Sequence, residues 1–102
     1  MPIRILITLA CLMASTANRA AETPKQLATR HLCFGCHAVA EFRVGPSFMD
    51  VAERYRKRKD AVAYLLKEMK DGSVGKWGST PMPPETVPDV ELKSILHWVL
   101  EQ

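Results

Sequence analysis

Residues 32–46 read Leu32-Cys33-Phe34-Gly35-Cys36-His37-Ala38-Val39-Ala40-Glu41-Phe42-Arg43-Val44-Gly45-Pro46. Three soft ligands, Cys33, Cys36 and His37, fall within five residues. Four chemistries use ligands of this kind: a zinc site, a redox disulfide, an iron–sulfur cluster, and a covalently attached haem. The rest of the chain decides among them.

The chain has 102 residues, enough for one domain. Met1-Pro2-Ile3-Arg4 is positively charged, Ile5 to Ala14 is apolar apart from Thr8, and Ser15-Thr16-Ala17 supplies the small residues of a peptidase site. This pattern predicts a secretory signal peptide over residues 1–21, cleaved somewhere between 17 and 21. The apolar run is too short to span a bilayer. A domain at residues 22–102 remains, in the periplasm and not membrane-spanning after cleavage. Without the leader's Arg4 and Arg19, the 14 basic residues fall to 12 against 11 acids, a net charge of about +1. Nothing in that balance suggests nucleic acid. So small a domain gains from a staple or a cofactor.

Export removes Cys11 with the leader, leaving Cys33 and Cys36. Structural zinc and iron–sulfur clusters each want four ligands. Here there are at most three in one place, and His37 adjoins Cys36 too closely for an ordinary tetrahedral site. His31 and His97 bring no second ligand at short spacing. A thioredoxin-like disulfide belongs beside a βαβ unit, and no strand pattern is present. Cys-x-x-Cys-His is the attachment signature of haem c. One helical turn separates the two thiols that add to the haem vinyl groups, and the next residue lies beneath the iron.

Four helices are predicted around this motif. Thr23-Pro24 opens the first with a hydroxyl cap and a proline at the first position, and it carries Leu27, Ala28 and Leu32 toward the cysteines. Pro46-Ser47 starts a second, with Phe48, Val51, Ala52 and Tyr55 as its apolar positions. Asp60 caps a third, with Ala61, Val62, Leu65, Leu66 and Met69 at helical spacing, and Gly72 ends it. Pro88 begins the last, where Leu92, Ile95, Leu96, Val99 and Leu100 repeat with helical period. Between Gly72 and Val87, three glycines and three prolines forbid regular structure. A loop of this length in a compact domain is normally functional. It holds Met82 between Pro81 and Pro83-Pro84, residues that stiffen the backbone around one thioether. Met49 and Met69 sit among apolar helical residues and read as core.

Cys33-Phe34-Gly35-Cys36-His37, Val44-Gly45-Pro46 and the run from Gly72 to Pro84 occur in this order. Together they resemble the class I c-type cytochromes of the small bacterial cytochrome c551/c552 (c8) group, from about Thr23 to Gln102. The resemblance implies an all-α, compact cytochrome c fold of about four helices wrapped around one haem c attached through Cys33 and Cys36. It implies His37 and Met82 as iron ligands, a hydrogen bond from His37 to the Pro46 carbonyl, and Trp77 beside a haem propionate. Many relatives place an arginine one turn before the loop glycine to hold that propionate. This chain has Lys67-Glu68 there, so Lys67 replaces the arginine only if its helix aims it inward.

His31 and His97 read as solvent-facing helix residues or, where Met82 is lost, as alternative iron ligands, and Trp98 as core. Arg54-Tyr55-Arg56-Lys57-Arg58-Lys59 puts five cations in six residues. These are expected either to face solvent at a helix C-terminus or to dock an acidic redox partner. The function these features imply is a soluble, monomeric, periplasmic electron carrier working between redox protein partners, not an enzyme. The alternatives are a haem-based gas-binding module or a small haem peroxidase, each requiring Met82 to be displaceable.

Overall fold

The computed structural model describes residues 21–102, so the predicted leader lies outside the described residues except for Ala21. Four helices follow in order: α1 (Pro24–Arg30), α2 (Phe48–Tyr55), α3 (Ala61–Asp71) and α4 (Asp89–Leu100), with one 3₁₀ turn at Cys33–Gly35. This is the all-α architecture expected.

α1 starts in a reciprocal cap. The Gln26 N–H donates to Thr23 Oγ1 at 3.1 Å, and the Thr23 N–H donates to Gln26 Oε1 at 2.9 Å. Leu27 and Ala28 are buried, but Leu32 is not part of this apolar face. The helix has already ended, and Leu32 takes a left-handed conformation (φ 62°) that turns the chain toward Cys33 and leaves the side chain 77% exposed. A left-handed non-glycine residue costs about 1–2 kcal/mol.

α2 is capped by Ser47, whose Oγ accepts from the Asp50 N–H at 3.0 Å. Phe48, Ala52 and Tyr55 share its buried face. Met49 lies one residue, about 100° of helical rotation, beyond Phe48 and is exposed, so the expectation of a core role for it fails. Met69, by contrast, packs half-buried against the core.

Asp60 occupies the cap position of α3 without capping it, because its carboxylate is engaged by Arg58. Gly72 ends α3 at φ +82°; a Cβ there would also lie 3.1 Å from Pro84 Cδ and 3.2 Å from the Met82 carbonyl oxygen. Only glycine satisfies both the positive φ and that close approach.

α4 packs against the other three helices. Its Ile95 and Val99 join Leu27, Ala28 and Phe48 in one core cluster, while Leu92 and Leu96 join Tyr55, Ala61, Leu65 and Val87 in a second. Both clusters line one cavity, and the loop between α3 and α4 supplies further residues of its lining. That loop is irregular, as expected, except for a single antiparallel bridge between Ser73 and Met82.

Candidate functional site

Cys33, Cys36 and His37 form one wall of this cavity. The 3₁₀ turn brings them together: the His37 N–H donates to the Cys33 carbonyl at 3.0 Å, and the Gly45 N–H donates to the Cys36 carbonyl at 2.8 Å. Cys33 is half-buried and Cys36 is exposed, and no disulfide joins them. Burial, and then the carboxylate of Glu85, push the Cys33 thiol above its ordinary value.

Three contacts fix the His37 ring. Nδ1 lies 2.7 Å from the Pro46 carbonyl oxygen. A carbonyl only accepts, so Nδ1 carries a proton, and in the neutral ring the lone pair is then on Nε2. Phe48 stacks on the ring, with centroids 5.4 Å apart and planes 21° apart. Gly45 makes room for it, since a Cβ there would stand 2.6 Å from His37 Cε1. The segment after His37 is tied to α2 as well: the Ala38 and Val39 carbonyls accept from the first N–H groups of that helix at 2.9 and 3.0 Å, satisfying donors that have no partner within the helix.

The loop supplies the other wall. Met82 and Trp77 are half-buried and line the cavity, with Met69 and Leu65 of α3 behind them. Ser73 and Met82 exchange backbone hydrogen bonds of 3.0 and 2.7 Å, and the Glu85 N–H donates to the Met69 carbonyl at 2.8 Å. The predicted site residues Cys33, Cys36, His37, Pro46, Trp77 and Met82 therefore all line one cavity.

Lys67 does not join them. It is 79% exposed and paired with Asp71 at 2.5 Å, so the α3 helix aims it outward. Its neighbour Glu68 faces the cavity instead, paired with Lys76 of the loop at 2.6 Å. The hydrogen bond from Lys76 holds the Glu68 carboxyl below the usual carboxylate range. This ion pair was missed in the sequence because its members are eight residues apart, on a helix and a loop.

His31 is not solvent-facing either. Its side chain is 19% exposed and its Nε2 lies 2.8 Å from Glu91, which also receives Arg30 at 2.6 Å, joining the end of α1 to the start of α4. His97 is exposed as expected, and neither histidine lines the cavity. Trp98 packs half-buried against the Phe48 cluster. Among the described residues no group of three or more His, Cys, Asp or Glu side chains is placed to hold a metal ion by itself.

These walls fit a flat, largely apolar cofactor whose metal needs axial ligands. Two cysteine side chains, an imidazole whose Nδ1 is taken by Pro46, and a thioether line the cavity together with aliphatic and aromatic side chains. The family model described as Cytochrome c matches residues 21–102. The chain belongs to the cytochrome c family. Cytochrome c-552 of Hydrogenobacter thermophilus is 47% identical over 76 residues, covering 74% of this chain and 78% of that protein. Cytochrome c-551 of Pseudomonas aeruginosa is 42% identical over 82 residues, covering 80% and 79%. The solved structure of wild-type Nitrosomonas europaea cytochrome c552 superposes with a TM-score of 0.71 at 40% identity, covering 74% of this chain and 95% of that one. This cytochrome thus falls in the small bacterial c551/c552 group. It carries one covalently bound haem c, for which Cys33 and Cys36 are the attachment cysteines of the Cys-x-x-Cys-His motif. It is an electron-transfer protein rather than an enzyme.

Proposed function

We propose that this cytochrome is a periplasmic, monomeric one-electron carrier whose iron is held between His37 Nε2 and Met82 Sδ. The observation that carries this reading is one cavity lined both by an imidazole oriented by Pro46, Gly45 and Phe48 and by Met82, whose backbone is paired with Ser73.

Haem supplies the chemistry, a one-electron change between ferric and ferrous iron. The chain's own residues set its terms. The Pro46 carbonyl keeps the proton on Nδ1 and so keeps Nε2 basic. Met82 brings a soft thioether, which favours ferrous iron and raises the potential. The aliphatic residues Leu65, Ile95, Leu96 and Val99 exclude water from the cavity. With both His37 and Met82 holding the iron, no position would stay open for a substrate, which favours a carrier over a peroxidase. Trp77 lies on the cavity where its indole N–H can serve a haem propionate. Export rests on the leader pattern of residues 1–21, and redox proteins are the partners.

Replacing Met82 with alanine tests this. The ferric wild type should show the weak red-edge absorption of a methionine–iron bond, and Met82→Ala should lose it and bind carbon monoxide quickly in the ferrous state. Met49→Leu and Met69→Leu should keep the band. A band untouched in Met82→Ala would place the sixth ligand elsewhere. Rapid carbon monoxide binding by the wild type would favour the gas-binding alternative.

A further inference from the structure

The loop that carries Met82 is held at its tip as well as at its base. The Ser73–Met82 bridge closes the base, and the Gly75 N–H donates to the Gly78 carbonyl at 3.1 Å, which puts Lys76 and Trp77 at the turn. Two helices grip that turn. From α2, Arg54 Nη1 donates to the Lys76 carbonyl at 2.8 Å, and its guanidinium carbon lies 4.5 Å from the Trp77 ring centroid. From α3, Glu68 accepts from the Lys76 ammonium at 2.6 Å, and Tyr64 accepts a second hydrogen bond from the same ammonium. Lys76 is thus held by its carbonyl from one helix and by its ammonium from another.

The rest of the loop passes this restraint on to Met82. Only Gly78-Ser79-Thr80-Pro81 separates Trp77 from Met82, and the prolines at 81, 83 and 84 restrict the backbone on both sides of it. Apart from the Ser73–Met82 bridge, no helix or sheet ladder supports residues 73–87. Segments with so few backbone bonds open at low free energy unless side chains hold them. An exposed ion pair alone contributes little. Here, however, a cation–π contact, a charge-assisted hydrogen bond and an ion pair act on one two-residue turn. Arg54 is therefore not simply one cation of the basic run: its guanidinium is committed to the loop.

We infer that Arg54 and Glu68 form a latch on the loop tip, and that this latch sets how often Met82 swings away and lets an exogenous ligand approach from the side opposite His37. The inference rests on the His37/Met82 ligation proposed above. Both latch residues are positioning residues, acting on Met82 through Lys76 and Trp77. The latch biases the molecule toward electron transfer and away from ligand capture.

Ligand exchange on the ferric holoprotein tests it. Imidazole is mixed with the protein at pH 8, where the probe is mostly neutral and surface charge does not steer it. At saturating imidazole the rate reports loop opening. Arg54→Ala should open about tenfold faster, from the loss of one cation–π contact and one charged hydrogen bond. Glu68→Gln should open about two- to threefold faster. Arg54→Lys, which keeps a donor but loses the planar face, should fall between Arg54→Ala and the wild type. Arg30→Ala, which breaks one ion pair to Glu91 of α4 and one to Glu22 and none to the loop, should lower thermal stability and leave the saturating rate unchanged. Met82→Ala marks the limit with no opening step, and a wild type as fast as Met82→Ala would overturn the ligation itself. With Met82→Ala fast and the wild type slow, rates for Arg54→Ala and Glu68→Gln within twofold of wild type would overturn the latch. So would an Arg30→Ala rate raised as much as that of Arg54→Ala. If Arg54→Ala does not fold, Arg54→Lys and Glu68→Gln decide by the same criterion.

Discussion

The two walls of the cavity are built in different ways. The His37 wall is local: every group that orients the imidazole lies between residues 33 and 48, and the hydrogen bonds there run within one turn-rich segment and into the start of α2. The Met82 wall is assembled from a distance: the loop is tied to α2 through Arg54 and to α3 through Glu68, Met69 and Tyr64. A locally built wall is stiff wherever its segment folds. An assembled wall is only as stiff as the side-chain contacts that reach it, so in this proposed arrangement Met82 is the ligand that can exchange and His37 the one that stays.

The largest effect that would sharpen this contrast is on the redox potential. Met82→His should keep the iron low-spin but stabilise the ferric state, lowering the midpoint by a substantial part of the roughly 0.8 V that axial ligands span. Voltammetry on the two proteins checks it, and an unchanged potential would remove the proposed role of the loop wall.

Paired glycine substitutions come next. Gly45→Ala forces a Cβ to within 2.6 Å of the His37 ring. It should destabilise the protein by about 1–3 kcal/mol and disturb the imidazole, while the methionine–iron band survives. Gly72→Ala meets a positive φ and the Pro84 ring. It should cost about 1–2 kcal/mol and weaken that band first. Thermal melts with absorption spectra read both effects, and equal loss of the band in both variants would erase the distinction between the walls.

A smaller effect should appear with pH. Glu68 has its folded pKa depressed, chiefly by the hydrogen bond from Lys76. Its contribution is therefore fully present above the unfolded carboxylate value of about 4.3 and is lost as pH falls through the lower folded value. Wild type should be more stable than Glu68→Gln at neutral pH, with the difference shrinking only below the ordinary carboxylate range. A difference that grew on acidification would have the wrong sign for this ion pair.

The smallest effect concerns the basic run. Lys57 and Lys59 are exposed, and Arg58 is occupied by Asp60 and by the Tyr64 ring 3.8 Å away. Replacing Lys57 and Lys59 with glutamine should leave the potential and the imidazole rate alone. If the run docks an acidic partner, bimolecular electron transfer should slow modestly at low salt, and the difference should fade near 0.1 M, where the Debye length is about 10 Å. Unchanged rates at low salt would leave these two lysines as solvated charges.

What the sequence determined by itself was whatever depends on near neighbours. Cys33, Cys36 and His37 need only one turn of chain to come together, and Gly45-Pro46 follows closely enough to reach the imidazole. The four helices announce themselves through period and punctuation, and the prolines around Met82 mark that residue without any knowledge of its surroundings. Only the tertiary structure decided which helix faces reach the cavity. Met49 falls outside the buried face, and Leu32, turned out of the helix by its left-handed conformation, is exposed yet among the residues that line the cavity. His31 meets a carboxylate from the far end of the chain, and Lys67 turns away while Glu68 turns in. The run around Arg54 looks uniform in the sequence, yet one of its cations lies over Trp77 and another over Tyr64. Charge and hydropathy say whether a side chain can face water, but they do not say which partner from another element will be waiting there, because that is set by how α2, α3 and the loop pack around a shared cavity.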